Sequence, residues 1–159
     1  MNGPGRERKY SDAPKGHTFT TQDVLDHLLG RRTWAVALVG RAGFAVAGCR
    51  DYDGDDGAGA VLALKALDTL RAAGVAAVAI LLGGRGHIWS LYLASAAAGD
   101  IRVQIEANTP AGPGEVYPSG NNIRLPFGLH RIRNTRGVMV FQDGRRFELD
   151  DSVLLVVSG

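Results

Sequence analysis

The glycine-rich stretch GGRGH at residues 83–87 follows a continuous apolar run, 75–82, and leads into alternating apolar positions over 87–93. Glycines in that setting join one strand to another. A P-loop and a dinucleotide-binding fingerprint each need a helix N-terminus directly after their glycines, so this loop excludes both, and the GRAG turn at 40–43 fails the same test. The run 75–82 has strand length and no polar residue, as a strand covered on both faces requires. In the strand expected over 87–93, His87, Trp89, Leu91 and Leu93 share one face, because side chains alternate with a period of two.

The surrounding pattern mixes helices and strands. Residues 58–73 form the clearest helix, with Val61, Leu64, Leu67 and Leu70 as its apolar stripe and Gly74 ending it. A short helix is expected from Thr20 to about Leu29. Thr20 is its N-cap, Asp23 sits where a capping box needs it, Phe19 is placed to staple onto Val24, and Gly30 stops it. Segments 32–39 and 43–49 read as strands joined by the 40–43 turn. A less regular helix is expected over 93–108, then a short strand at 114–118 and an extended stretch at 121–127. A hairpin follows at 138–142 and 146–149, turned by Asp143 and Gly144 with type I′ chemistry, and 153–157 is suited to close the sheet. Antiparallel hairpins mixed with helices give an α+β class: a sheet with helices on one face. Residues 1–16, rich in Gly, Pro and charge without apolar periodicity, read as a flexible tail, and 17–159 as one domain. A chain of 159 residues can bury one sizeable core but not two.

Composition narrows the class further. At 45% hydrophobic and 21% charged residues the chain is globular. No apolar run approaches the roughly 20 residues that span a bilayer, and the N-terminus carries no apolar core of a secretory signal, so no membrane partner is expected. The single cysteine, Cys49, cannot form an internal disulfide, which fits a reducing cytoplasm. Net charge is only +2, but Arg124, Arg131, Arg133, Arg136, Arg145 and Arg146 crowd the C-terminal third, with no acid between Arg124 and Gln142. Such a cluster reads either as a phosphate footprint or as a solvated loop.

Three segments could carry chemistry. The 83–86 loop allows backbone N–H groups close to an anion, with Arg85 and His87 as added donors; the plain alternative is a tight β-turn with a core-facing histidine. The 51–56 loop holds four carboxylates in six residues. Asp51 and Asp53 point to one side if the strand continues, as paired metal ligands in nucleotidyl transfer must; the alternative is a polar connector. Glu115, followed by Arg124, His130 and Arg131, offers an acid and basic contacts for a triphosphate, or simply a surface strand and a proline-bounded loop.

Taken in order, LLGRRT at 28–33, GGRGHIW at 83–89, and EVYP at 115–118 with IRLPFGLH at 123–130 resemble the archaeo-eukaryotic primase superfamily. Within it they are most similar to the primase domain of bacterial TOTE conflict systems and related primase-polymerases, over about residues 17–137. The resemblance implies an RRM-like catalytic core, a mixed or antiparallel sheet with helices packed on one face, and three motifs. The first is an Asp-x-Asp pair holding divalent metal, the second a turn ending in a histidine on the incoming nucleotide, and the third an acid completing the metal site. Carried over, His87 is the second-motif histidine with Arg85 in its loop, and Glu115 is the third-motif acid. Arg124 and His130, with Arg131 beside them, are the basic residues that follow. In ungapped register the first motif falls on Gly48 and Arg50; Asp51 and Asp53 restore the spacing if the strand runs three residues further. Leu82 stands where a serine is usual. The implied activity is template-dependent nucleotidyl transfer, with Mg²⁺ or Mn²⁺ at Asp51, Asp53 and Glu115. The implied partners are nucleoside triphosphates, single-stranded or primer-template DNA, and a helicase acting in trans. The alternatives are a catalytically degenerate primase-like module that binds nucleotide or nucleic acid, and an unrelated α+β domain.

Overall fold

The computed structural model describes residues 13–40, 42–54, 56–129, 135–150 and 152. In chain order the elements are α1 (Thr21–Leu28), β1 (Ala35–Val36), β2 (Phe44–Tyr52), α2 (Ala58–Ala72), β3 (Ala77–Leu82), β4 (Arg85–Ala97), α3 (Ala98–Asn108), β5 (Val116–Tyr117), β6 (Ile123–Arg124), β7 (Val138–Phe141) and β8 (Arg146–Glu148). They build an α+β fold around a six-stranded sheet of order β5-β2-β4-β3-β7-β8, with β1 and β6 paired in a separate two-stranded ribbon. Every pairing is antiparallel. The run β2-α2-β3-β4-α3-β5 with spatial order β5-β2-β4-β3 is a split β-α-β arrangement.

Both long helices lie on one face of the sheet. Ala63, Ala66, Leu67 and Leu70 of α2 pack on Tyr52, Ala77, Ala79, Ile88 and Val140, while Ile101 and Ile105 of α3 pack on Ala45 and Val116. The α2 contact face steps 59, 63, 66, 67, 70. The expected stripe therefore holds at Leu67 and Leu70 but not at Val61, which is half exposed; a run of three-residue steps drifts about 60° per step around a 3.6-residue helix. Small residues set the spacing between α2 and the sheet: a Cβ at Gly86 would meet the Ala63 Cβ at 2.6 Å, and one at Gly59 would meet the Tyr52 carbonyl at 2.4 Å. The opposite face is covered by Ile123 of β6 and Leu38, packed with Cys49, Ile80, Trp89 and Tyr117.

Four expectations are corrected. Segment 32–39 pairs as β1 with β6 rather than with 43–49, so the 40–43 turn joins no hairpin. Strand β2 runs on to Tyr52, three residues past Cys49. Strand β4 extends to Ala97, so the helix expected from Leu93 begins at Ala98 instead. On β4, Ala45 faces Ala96 and Ala47 faces Leu91, which leaves 92–95 without partners on β2 and Leu93 fully exposed. The β7–β8 turn is a three-residue connection, with Gly144 at φ 86° and Phe141 N–H bonded to the Arg145 carbonyl, rather than type I′. The capping box of α1 forms as expected: Thr20 accepts from the Asp23 N–H, and the Asp23 carboxylate accepts from the Thr20 N–H at 2.8 Å. The expected strand at 153–157 lies outside the described residues.

Candidate active site

Register places the first two motifs side by side. Asp51 stands directly opposite His87 on β4, and its N–H donates to the Glu115 carbonyl at 2.8 Å on the other side. Side chains directly opposite on adjacent strands share a face, so Glu115, Asp51 and His87 form one row. That row faces away from α2 and α3. The helix-side positions of β2 are Gly48, Arg50 and Tyr52. A Cβ at Gly48 would lie 2.1 Å from Ile105 Cδ1, and Arg50 donates to Thr109 Oγ1 at 3.2 Å and covers the Tyr52 ring. The ungapped register thus points into the helix layer, and the longer strand turns Asp51 to the other side.

Around Asp51 the charges converge. His87 Nε2 is 3.2 Å from Asp51 Oδ1, and Arg85 Nη2 is 3.8 Å from Asp51 Oδ2 while also binding the Asp53 carboxylate. Asp51 Oδ1 is buried and accepts no aligned hydrogen bond. Burial pulls the Asp51 carboxyl upward, but the His87 contact and the charges of Arg85 and Arg124 outweigh it and hold it below the usual range. Glu115 is held differently. It accepts from Ser119 Oγ at 2.5 Å, Asn121 Nδ2 at 2.8 Å and Tyr117 Oη at 3.1 Å, and the first two bonds lower its pKa. Burial and the Glu115 carboxylate raise that of Tyr117.

Beside the row lies a small cleft of about 10 Å³, lined by Ile80, Leu82 and His87 of the sheet, by Arg124 and the 125–128 loop, and by Arg136. His27 of α1 backs the 125–128 loop from the side away from the cleft lining. Its Nδ1 accepts from the Trp34 N–H at 3.0 Å, so Nε2 carries the proton and donates to the carbonyls of Leu125 and Pro126 at 3.0 and 3.1 Å. Burial lowers the His27 pKa, the nearby charges of Arg124 and Arg136 adding to it against the two carbonyls. Gly128 leaves room for the ring, since a Cβ there would meet His27 Cε1 at 2.3 Å. Phe127, at φ 63°, is held in the left-handed region at the cleft edge.

The structure therefore brings Asp51, Asp53, Arg85, His87 and Arg124 together, and sets Glu115 in the same row with its oxygens turned to Tyr117, Ser119 and Asn121. Among the described residues no three His, Cys, Asp or Glu side chains gather as a metal site. His130 and Arg131 lie outside the described residues. Sequence reasoning missed His27 and Gly128, and placed Arg136 only in the arginine cluster read as a phosphate footprint or a solvated loop. Arg136, which donates to the Leu28 and Phe127 carbonyls, was signalled only by the acid-free arginine run; the His27–Gly128 contact spans 101 positions and leaves no local pattern. No protein-family model matches this chain, and no curated protein matches it either.

Proposed function

We propose that this chain is a nucleotidyltransferase core of the primase-polymerase type, RRM-like in fold, which joins nucleotides on a DNA template. The observation that carries this reading is the single row Glu115–Asp51–His87 beside a cleft lined by Arg124 and Arg136. In this reading a nucleoside triphosphate lies along the row, with its phosphates against His87, Arg85 and Arg124. A primer 3′-hydroxyl attacks the α-phosphorus and pyrophosphate leaves, while these groups offset the charge that builds on the leaving oxygens.

Divalent metal suits the carboxylates by donor chemistry, because Mg²⁺ and Mn²⁺ favour hard oxygen ligands. The buried Asp51 Oδ1 has no aligned hydrogen-bond donor to lose. Asp51 and Asp53 would hold the ion, with Glu115 next in the row, and bound metal would lower the pKa of the attacking hydroxyl and screen the pyrophosphate.

A second reading, a catalytically degenerate module that binds nucleotide or nucleic acid, is favoured by one contact: Arg85 already spans Asp51 and Asp53. Primer extension on a single-stranded template with Mn²⁺, comparing wild type with Asp51→Asn, separates the two. Incorporation that disappears in the variant supports the polymerase. A folded wild type that binds triphosphate, with strong salt dependence, yet incorporates nothing supports the binding module.

A further inference from the structure

Arg85 occupies the place between Asp51 and Asp53 that a cation needs. It opens β4, and its backbone is pinned: a Cβ on Gly59 of α2 would sit 3.0 Å from the Arg85 Cα. Its side chain is not pinned in the same way. It is 39% exposed, against 20% for Asp51. Arg85 and His87 are two residues apart on one strand and share a face, so the guanidinium lies on the same side of the sheet as the His87 ring. Two ionised carboxylates this close need a counter-charge, and a guanidinium and a divalent cation crowded between them would repel each other.

We infer that Arg85 is an exchangeable counter-ion: it neutralises Asp51 and Asp53 while the cleft is empty, and moves to the phosphates when a triphosphate enters, opening the carboxylates to a divalent cation. The inference rests on the triphosphate reading above and adds a consequence to it. Metal and triphosphate are coupled through one side chain, in addition to any direct contact between them. Such a coupling is reciprocal, and factors on the order of tenfold are usual for it.

The test measures each ligand alone, by calorimetric titration. With Mn²⁺ and no nucleotide, Arg85→Gln should bind the ion about tenfold more tightly than wild type. With inorganic tripolyphosphate in EDTA, Asp53→Asn should bind several-fold more tightly than wild type, because it releases Arg85 without removing it. Thermal unfolding of each variant confirms that it is folded, and Asp53→Asn reports on the same exchange should Arg85→Gln fail to fold. A folded Arg85→Gln protein with unchanged Mn²⁺ affinity overturns the exchange, as does a folded Asp53→Asn protein with wild-type affinity for tripolyphosphate. If neither wild type nor Asp53→Asn binds tripolyphosphate, the movement to phosphate and the triphosphate reading fail together. A Mn²⁺ gain in Arg85→Gln would then show only that Arg85 guards the carboxylates.

Discussion

Asp51 and His87 face each other across β2 and β4, with Oδ1 and Nε2 3.2 Å apart on the sheet face turned away from the helices. The contact joins residues from two separate segments of the chain through backbone register alone. A one-residue slip of β2 would send Asp51 into the helix layer and bring Arg50 or Tyr52 to the cleft side. The β2–β4 register therefore determines both whether the sheet packs and whether the site exists.

The Asp51 carboxyl should leave a signature in the pH dependence of stability. Its folded pKa is lowered from the ordinary 3.8 by His87, Arg85 and Arg124 acting against burial. A depressed carboxyl contributes stability that is complete above the unfolded pKa and is lost as pH falls through the folded value. Urea unfolding between about pH 2 and 6 should show a fall in midpoint through the acid range that is shallower in Asp51→Asn. Parallel curves for the two proteins would mean that the cations around Asp51 do not act on it.

Arg124 stands on the short ribbon strand β6, opposite Ala35, and lines the cleft with His87. Charge-assisted hydrogen bonds contribute about 1.5–3 kcal/mol. On the proposed function, Arg124→Ala should weaken triphosphate binding by roughly tenfold or more and flatten its salt dependence, while His87→Ala weakens it without the same salt effect. Equilibrium binding of a fluorescent triphosphate at two salt concentrations reads both. Wild-type affinity in Arg124→Ala would remove the cleft from the proposed nucleotide site.

Gly48→Ala should destabilise the protein by about 1–3 kcal/mol, the usual cost of overpacking. A methyl group there meets Ile105 Cδ1 at 2.1 Å and Ile101 Cγ2 at 2.8 Å, and the backbone carbonyl of Tyr117 at 3.2 Å leaves little room to shift. Chemical denaturation measures it. A neutral substitution would mean that α3 sits further from β2 than described, and would reopen Gly48 and Arg50 as site positions.

How much of this was legible in the sequence depends on the range of the interaction. The capping box at Thr20 and Asp23, the helix ended by Gly74, and the hairpin around Gly144 are set by neighbours a few residues apart, and each formed. The apolar run 75–82 became the strand flanked by β4 and β7, with packed residues on both of its faces. Pairing partners were less accessible. Segment 32–39 alternates well enough to suggest a hairpin with 43–49, yet it pairs with Ile123 and Arg124, a choice made by packing of Leu38 and Ile123 on the far sheet face. Asp51, Asp53, Glu115, Arg85, His87 and Arg124 were named from residue type and motif order. That Arg85 would sit between the two aspartates was not, because strand register and side-chain reach together decide it.

His27 is the remaining titratable group that the cleft depends on. It must be neutral to accept from the Trp34 N–H, and a proton on Nδ1 would break that bond and place a third positive charge near Arg124 and Arg136. Its folded pKa is accordingly lowered from 6.5, chiefly by burial. The sign is that of a group whose unfolded form binds the proton more readily: stability is complete above about pH 6.5 and declines as pH falls toward the lowered folded value, below which the loss is constant. His27→Ala removes this dependence and costs about 2–4 kcal/mol, because the Trp34 N–H and the carbonyls of Leu125 and Pro126 all lose a partner. Thermal unfolding of both proteins from pH 5 to 8, together with triphosphate affinity at pH 7.5, measures the two roles. The expected result is a wild-type melting point that drops on the acid side of this range, and a variant that is less stable, less sensitive to pH there and, on the proposed function, weaker in triphosphate binding, because the 125–128 loop next to Arg124 has lost its anchor. A variant as stable as wild type would show that the 125–128 loop is held by contacts other than His27.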